Sequence, residues 1–170
     1  MRVLTLIVAL LPSATAAQQT IRTDYHYRIG NDLAGTGKSL SVVNGTVFDN
    51  AAVLHPTDNV SSQYWFFELG TGGTVTLGSM FRGTTYCLDL IPTGARYGEA
   101  DLRSCDGSAT QRWTLVPEGP RFQIVTEARG SRECLEMIPE GRDAGRLRAN
   151  VCGFYANQLW SLAVTDQPVK

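Results

Sequence analysis

Four cysteines carry the clearest chemistry in this sequence, and they come at one repeated interval: Cys87 and Cys105 are 18 residues apart, as are Cys134 and Cys152. Four thiols allow three pairings. The shared spacing favours the local pairs, Cys87 with Cys105 and Cys134 with Cys152. Each would close a loop worth about 3 kcal/mol through the entropy it removes from the unfolded chain. A metal site is the poorer reading, because there is no C-x-x-C pair and the two histidines, His26 and His55, lie far apart. Two other groups invite a chemical reading. Gly35-Thr36-Gly37-Lys38-Ser39 has the ending of a phosphate-binding loop, but the full pattern needs a glycine where Asp32 stands. Asp89 and Asp101 could in principle form a carboxylate pair for glycoside hydrolysis. Nothing in the sequence marks a deep cleft around them, and the G-x-S-x-G and H-E-x-x-H signatures are absent. The expectation is a protein that is not an enzyme.

The elements that must position these groups are set by a phrase that occurs three times: Gln63-Tyr64-Trp65, Gln111-Arg112-Trp113 and Gln158-Leu159-Trp160. These are the only tryptophans, and they recur at a period of about 48 residues, the signature of a supersecondary unit used repeatedly. In an extended strand residues i and i+2 share a face, so each Gln should lie on the same side as its Trp. The tryptophans would fill a common core, with the amides hydrogen-bonding beside them.

Other positions fall into the same register. Tyr27, Val75 and Phe122 open the units, and Gly35, Gly83 and Gly130 follow eight residues later. Then come Ser39-Leu40-Ser41-Val42-Val43, Cys87-Leu88-Asp89-Leu90-Ile91 and Cys134-Leu135-Glu136-Met137-Ile138. Polar loops over 44–50, 92–99 and 139–145 lead to short strands at Ala52-Val53-Leu54, Ala100-Asp101-Leu102 and Leu147-Arg148-Ala149. Each unit reads as four short strands divided by turn-forming residues, and no segment keeps a helical period. The expected fold is all-β, three units of four strands closing as a twelve-stranded, pseudo-threefold barrel with a hairpin cap.

The chain opens with Met1-Arg2, a largely apolar run of nine residues from Val3 to Leu11, and the small-x-small run Ala14-Thr15-Ala16. That is the pattern of a secretory signal peptide over residues 1–17, cleaved after 16 or 17 and too short to span a bilayer. The mature chain should be one domain, secreted, with Asn44 and Asn59 in sequons as glycan acceptors. Formal net charge is −1 without any block of like charge, which argues against nucleic acid and anionic lipid as partners.

With Cys-Leu-Asp, a second cysteine eighteen residues on and three Gln-x-Trp in register, the chain resembles the ricin B-chain lectin family of β-trefoil carbohydrate-binding modules. The stretch from Tyr27 to Trp65, with Gly37-Lys38-Ser39-Leu40-Ser41-Val42-Val43, is most similar to its secreted fungal branch. The resemblance covers residues 25–164, with repeats at about 25–72, 73–119 and 120–164. It implies glycans or polysaccharides as partners, a glycoprotein among them, with no cofactor and no metal.

The family's pocket resembles a shallow dish: an acidic residue after Cys-Leu, an aromatic platform near the second cysteine and an Asn before the Gln. A carboxylate accepts hydrogen bonds from neighbouring hydroxyls, an amide donates and accepts, and a ring stacks on the C–H face of a hexose. Repeat 2 offers Asp89 and Gln111, with Arg103 at the platform position, Thr110 in place of the Asn, and Asp101 and Tyr97 as extra candidates. Repeat 3 offers Glu136, Asn157 and Gln158, with Asn150 at the platform position and Phe154 or Tyr155 as substitutes. Repeat 1 has Ser41, His55 and Ser62, and is the least expected site. No repeat carries the whole set, which keeps a second reading open: a trefoil scaffold that has lost its sugar sites and binds a protein as an inhibitor or effector.

Overall fold

The computed structural model describes residues 20–45, 47–130 and 132–170. The expected signal peptide lies outside the described residues, as does Thr46 of the first sequon. The described residues form twelve strands: β1 (Tyr25–Asn31), β2 (Lys38–Val42), β3 (Ala52–Pro56), β4 (Trp65–Leu69), β5 (Val75–Ser79), β6 (Gly83–Leu90), β7 (Ala100–Ser104), β8 (Trp113–Glu118), β9 (Arg121–Thr126), β10 (Glu133–Met137), β11 (Leu147–Val151) and β12 (Trp160–Pro168). Among the described residues the only helical pieces are 3₁₀ turns of three residues each.

Six strands close a ring through antiparallel pairs: β12 with β1, β1 with β4, β4 with β5, β5 with β8, β8 with β9, and β9 back to β12. Closure removes the exposed edges that an open sheet would leave. The remaining strands form three hairpins, β2–β3, β6–β7 and β10–β11, which cap one end. Each hairpin donates one backbone bond to the next: Leu102 N–H to the Asn50 carbonyl, Leu54 to Gly145 and Ala149 to Gly98. The cap therefore has the same pseudo-threefold order as the barrel.

Alternation along the strands builds one core. Trp65, Trp113 and Trp160 are fully buried and share a single cluster with Tyr27, Ile29, Leu77, Leu88, Ile124 and Leu135. A buried indole needs an acceptor. Each Nε1 donates to the carbonyl 25 residues earlier, of Leu40 at 2.9 Å, Leu88 at 3.1 Å and Leu135 at 3.0 Å. Both local disulfides are formed, with Cα separations of 5.1 Å for Cys87–Cys105 and 4.9 Å for Cys134–Cys152.

One expectation needs correction. Gln and Trp of each motif do not lie on one strand: Gln63, Gln111 and Gln158 end the 3₁₀ turns Ser61–Gln63, Ala109–Gln111 and Ala156–Gln158, and the strand begins at the Trp. The backbone turns there because each Gln N–H bonds the carbonyl three residues back. Both side chains are nonetheless buried. Each Gln amide straps the turn ahead of it. Nε2 donates to the carbonyls of Pro56, Ser104 and Val151, while Oε1 accepts from the N–H groups of Asp58, Asp106 and Gly153.

Candidate functional site

The register of β6–β7 places Asp89 opposite Asp101 and Cys87 opposite Arg103, all on the face turned away from Leu88, Leu90 and Leu102 of the core. Asp89 is only 4% exposed. Its Oδ2 accepts from Gln111 Nε2 at 3.1 Å and meets Arg103 Nε at 3.3 Å. Its Oδ1 is buried without a hydrogen-bond partner among the described residues. An orphaned carboxylate oxygen is costly, so it asks for a donor. The reason for the gap is Thr110: its hydroxyl pairs with Ser108 Oγ at 2.8 Å and is not turned to Asp89. Nearby, the Ser108 N–H, with help from Arg103, holds the Asp106 carboxyl below its usual range.

The other repeat 2 candidates are engaged elsewhere. Asp101 is gripped through both oxygens by Arg96, at 2.8 and 2.5 Å. Tyr97 is 59% exposed, but one face of its ring is taken by Arg129 of the third repeat, 4.4 Å from the centroid. Gln111 is wholly buried and braces Asp89 from behind, so it supports the carboxylate instead of offering its own amide to the outside.

Repeat 3 brings its four candidates together. Glu136 is 3% exposed, and its Oε1 accepts from Arg148 Nε at 2.7 Å and Asn150 Nδ2 at 3.0 Å. Its Oε2 accepts from Gln158 Nε2 at 3.1 Å and Asn157 Nδ2 at 3.3 Å. The extra methylene of Glu lets this carboxylate reach four donors, and its acceptor capacity is filled. In the same repeat Phe154 (82% exposed), Tyr155 and Val151 are exposed apolar side chains. Arg148 escaped the sequence reading, although it pairs directly with Glu136 in the β10–β11 ladder.

At the same place in repeat 1 no carboxylate is buried. Ser41 and Ser62 share a hydrogen bond of 3.1 Å, and a depression of about 530 Å³ opens between Ser41, His55, Asp58 and Val60. Asn44 lines it, and Asn59 lies between two of its lining residues, with Oδ1 accepting from the Tyr64 hydroxyl.

A charged network ties the second and third hairpins together at the cap, and the first packs on it through Phe48. Arg96 bonds Glu99 and Asp101, and Arg146 pairs with Glu99 and Asp143. The Phe48 ring lies against Arg146, at 4.3 Å. Burial, with the charge of Arg96, pulls the Arg146 pKa below the ordinary arginine value. No group of three or more His, Cys, Asp or Glu is placed to hold a metal ion among the described residues.

Comparison with known proteins agrees with this architecture. The family model described as ricin-type beta-trefoil lectin domain matches residues 25–160. No curated protein sequence matches. Among solved structures, the designed 3-fold symmetric protein ThreeFoil is 21% identical, with a TM-score of 0.66 over 81% of this chain and 97% of its own. An exo-beta-1,3-galactanase from Clostridium thermocellum is 24% identical, with a TM-score of 0.69, covering 86% of this chain and 32% of that one. Polyporus squamosus lectin, bound to the epitope Neu5Aca2-6Galb1-4GlcNAc, is 16% identical with a TM-score of 0.66, covering 84% of this chain and 50% of that one. The likeness to these structures is one of fold, and the chain spans about a third and a half of the last two.

Proposed function

The chain belongs to the ricin-type beta-trefoil lectin domain family, and on that premise we propose that it is a secreted, non-catalytic carbohydrate-binding protein whose working dish lies in the second repeat. The observation that carries this reading is the buried Oδ1 of Asp89, an acceptor without a donor. A sugar hydroxyl is a donor of the right size. Arg103, half exposed and 3.3 Å from the neighbouring Oδ2, is the side chain that would turn aside to admit it. Swung outward, its guanidinium would donate to a second hydroxyl of the same ring. Glu136 has no oxygen to spare, so the third repeat's carboxylate serves the fold.

Two further features support parts of this proposal. Both disulfides suit an oxidising compartment. Asp89 and Asp101 are each neutralised by an arginine, a poor arrangement for an acid/base pair. A glycan on Asn44 would stand on the rim of the repeat 1 depression and screen it.

The test is a glycan array, followed by titration of the best hit. Asp89→Ala should lower affinity at least about tenfold, the loss of a charged hydrogen bond. Glu136→Gln should leave binding unchanged. Full binding by Asp89→Ala would refute the assignment. The exposed set Val151, Phe154 and Tyr155 favours a second reading, a scaffold that docks a protein partner. An array without hits, together with partner binding that is lost on Phe154→Ser, would favour that reading.

A further inference from the structure

A second cleft lies where β12 closes the barrel against β1, apart from Asp89 and Glu136. It has a volume of about 650 Å³. Its floor is made of small residues, with Gly30 paired to Ser161 and Ala163 beside them. A Cβ on Gly30 would lie 2.6 Å from Ser161 Oγ, so this strand pair is packed as tightly as glycine permits. Its walls carry Arg28, Lys38 and Arg121 against one carboxylate, Asp32. Arg121 is paired with Asp32. Arg28 is fixed by a neutral partner, Gln63 Oε1 at 2.7 Å, and by the Tyr64 ring. Lys38 is exposed and forms no ion pair among the described residues. Two positive charges are thus left uncompensated at one opening.

The pseudo-threefold order shows that this is no by-product of the fold. The counterpart of Ser161 over Gly30 is Phe66 over Gly78 in one interface, and Thr114 over Val125 in the other. The Phe66 ring occupies the space at Gly78 so fully that a Cβ there would lie 2.1 Å from its Cζ. The counterparts of Arg28 and Lys38 are Thr76 and Tyr86, then Gln123 and Glu133. Among the described residues, the β12–β1 interface alone sets a Gly–Ser pair beneath an Arg and a Lys at these three equivalent positions.

We propose that this cleft is a second binding site, for a saccharide carrying a sulfate or carboxylate, with Lys38 and Arg28 holding the oxyanion and the Gly30–Ser161–Ala163 floor taking the ring. The saccharide part rests on the lectin reading above; the selectivity for an anion rests on the cleft alone. The Gly35–Ser39 turn thereby gains a role through Lys38, although no helix follows it and no nucleotide loop is formed.

The test is calorimetric titration with sulfated and unsulfated dextran oligosaccharides of equal length, with inorganic sulfate as a competitor. Wild type should bind the sulfated form at least about tenfold more tightly, and Lys38→Glu should abolish that preference. Ser161→Phe should also abolish it by filling the cleft, in a packing already present at Phe66 and Gly78. Equal affinity for the two dextrans would overturn the proposal, as would a preference unchanged in both variants. Displacement by inorganic sulfate at the same molar concentration would show a site for the free oxyanion, and would overturn the saccharide assignment. Asp89→Ala should leave this binding intact. An array on which Asp89→Ala binds as well as wild type would therefore count against the cap dish and leave this site standing.

Discussion

Repeats 2 and 3 bury a carboxylate at the same position of the same hairpin, yet treat it in opposite ways. Glu136 gathers Arg148, Asn150, Asn157 and Gln158 and leaves no acceptor open. Asp89 is one methylene shorter, faces Thr110 where repeat 3 has Asn157, and keeps one oxygen without a donor. The arginines also differ in register: Arg148 stands directly opposite its carboxylate, whereas Arg103 reaches across from the position opposite Cys87. The same backbone can thus turn one acid into a brace and leave another ready for a ligand, according to how many donors its neighbours supply.

The sharpest way to break this comparison is through stability. Glu136→Ala strips a shared acceptor from four donors, the buried Gln158 amide among them, and should cost about 3 kcal/mol in denaturant unfolding. Asp89→Ala removes a carboxylate that already has an unmet oxygen and should cost about half as much. Equal losses would mean that the two carboxylates do the same work. A smaller effect is expected from Arg103→Ala, which should shift stability by no more than about 0.5 kcal/mol, as for other half-exposed pairs. The same variant should bind glycan no more than a few-fold more weakly than wild type, because opening Asp89 offsets the donor that is lost.

Much of the fold was legible because its determinants are local and repeated. Three Gln-x-Trp motifs at one period announce three equivalent units, and the matched cysteine spacing announces both disulfides. The error over the Gln shows where that logic stops. A two-residue offset looks the same whether the chain is extended or leaves a 3₁₀ turn, and only the i−3 bonds of Gln63, Gln111 and Gln158 distinguish the two.

The site was legible in residue type but not in partnership. Asp89 and Glu136 stand out from their place after Cys-Leu. That Arg96 claims Asp101 and Arg129 claims the face of Tyr97 depends on contacts between loops and repeats. Arg148 could have been found by pairing β10 with β11 residue by residue. The β12–β1 cleft could not, because it joins the two ends of the described chain.

The most direct measurement is a crystal structure of the protein soaked with the best ligand from the array. The account predicts a sugar hydroxyl within hydrogen-bond distance of Asp89 Oδ1, with Arg103 turned outward and the four bonds to Glu136 intact. A saccharide seated on Glu136, with Asp89 still capped by Arg103, would contradict it.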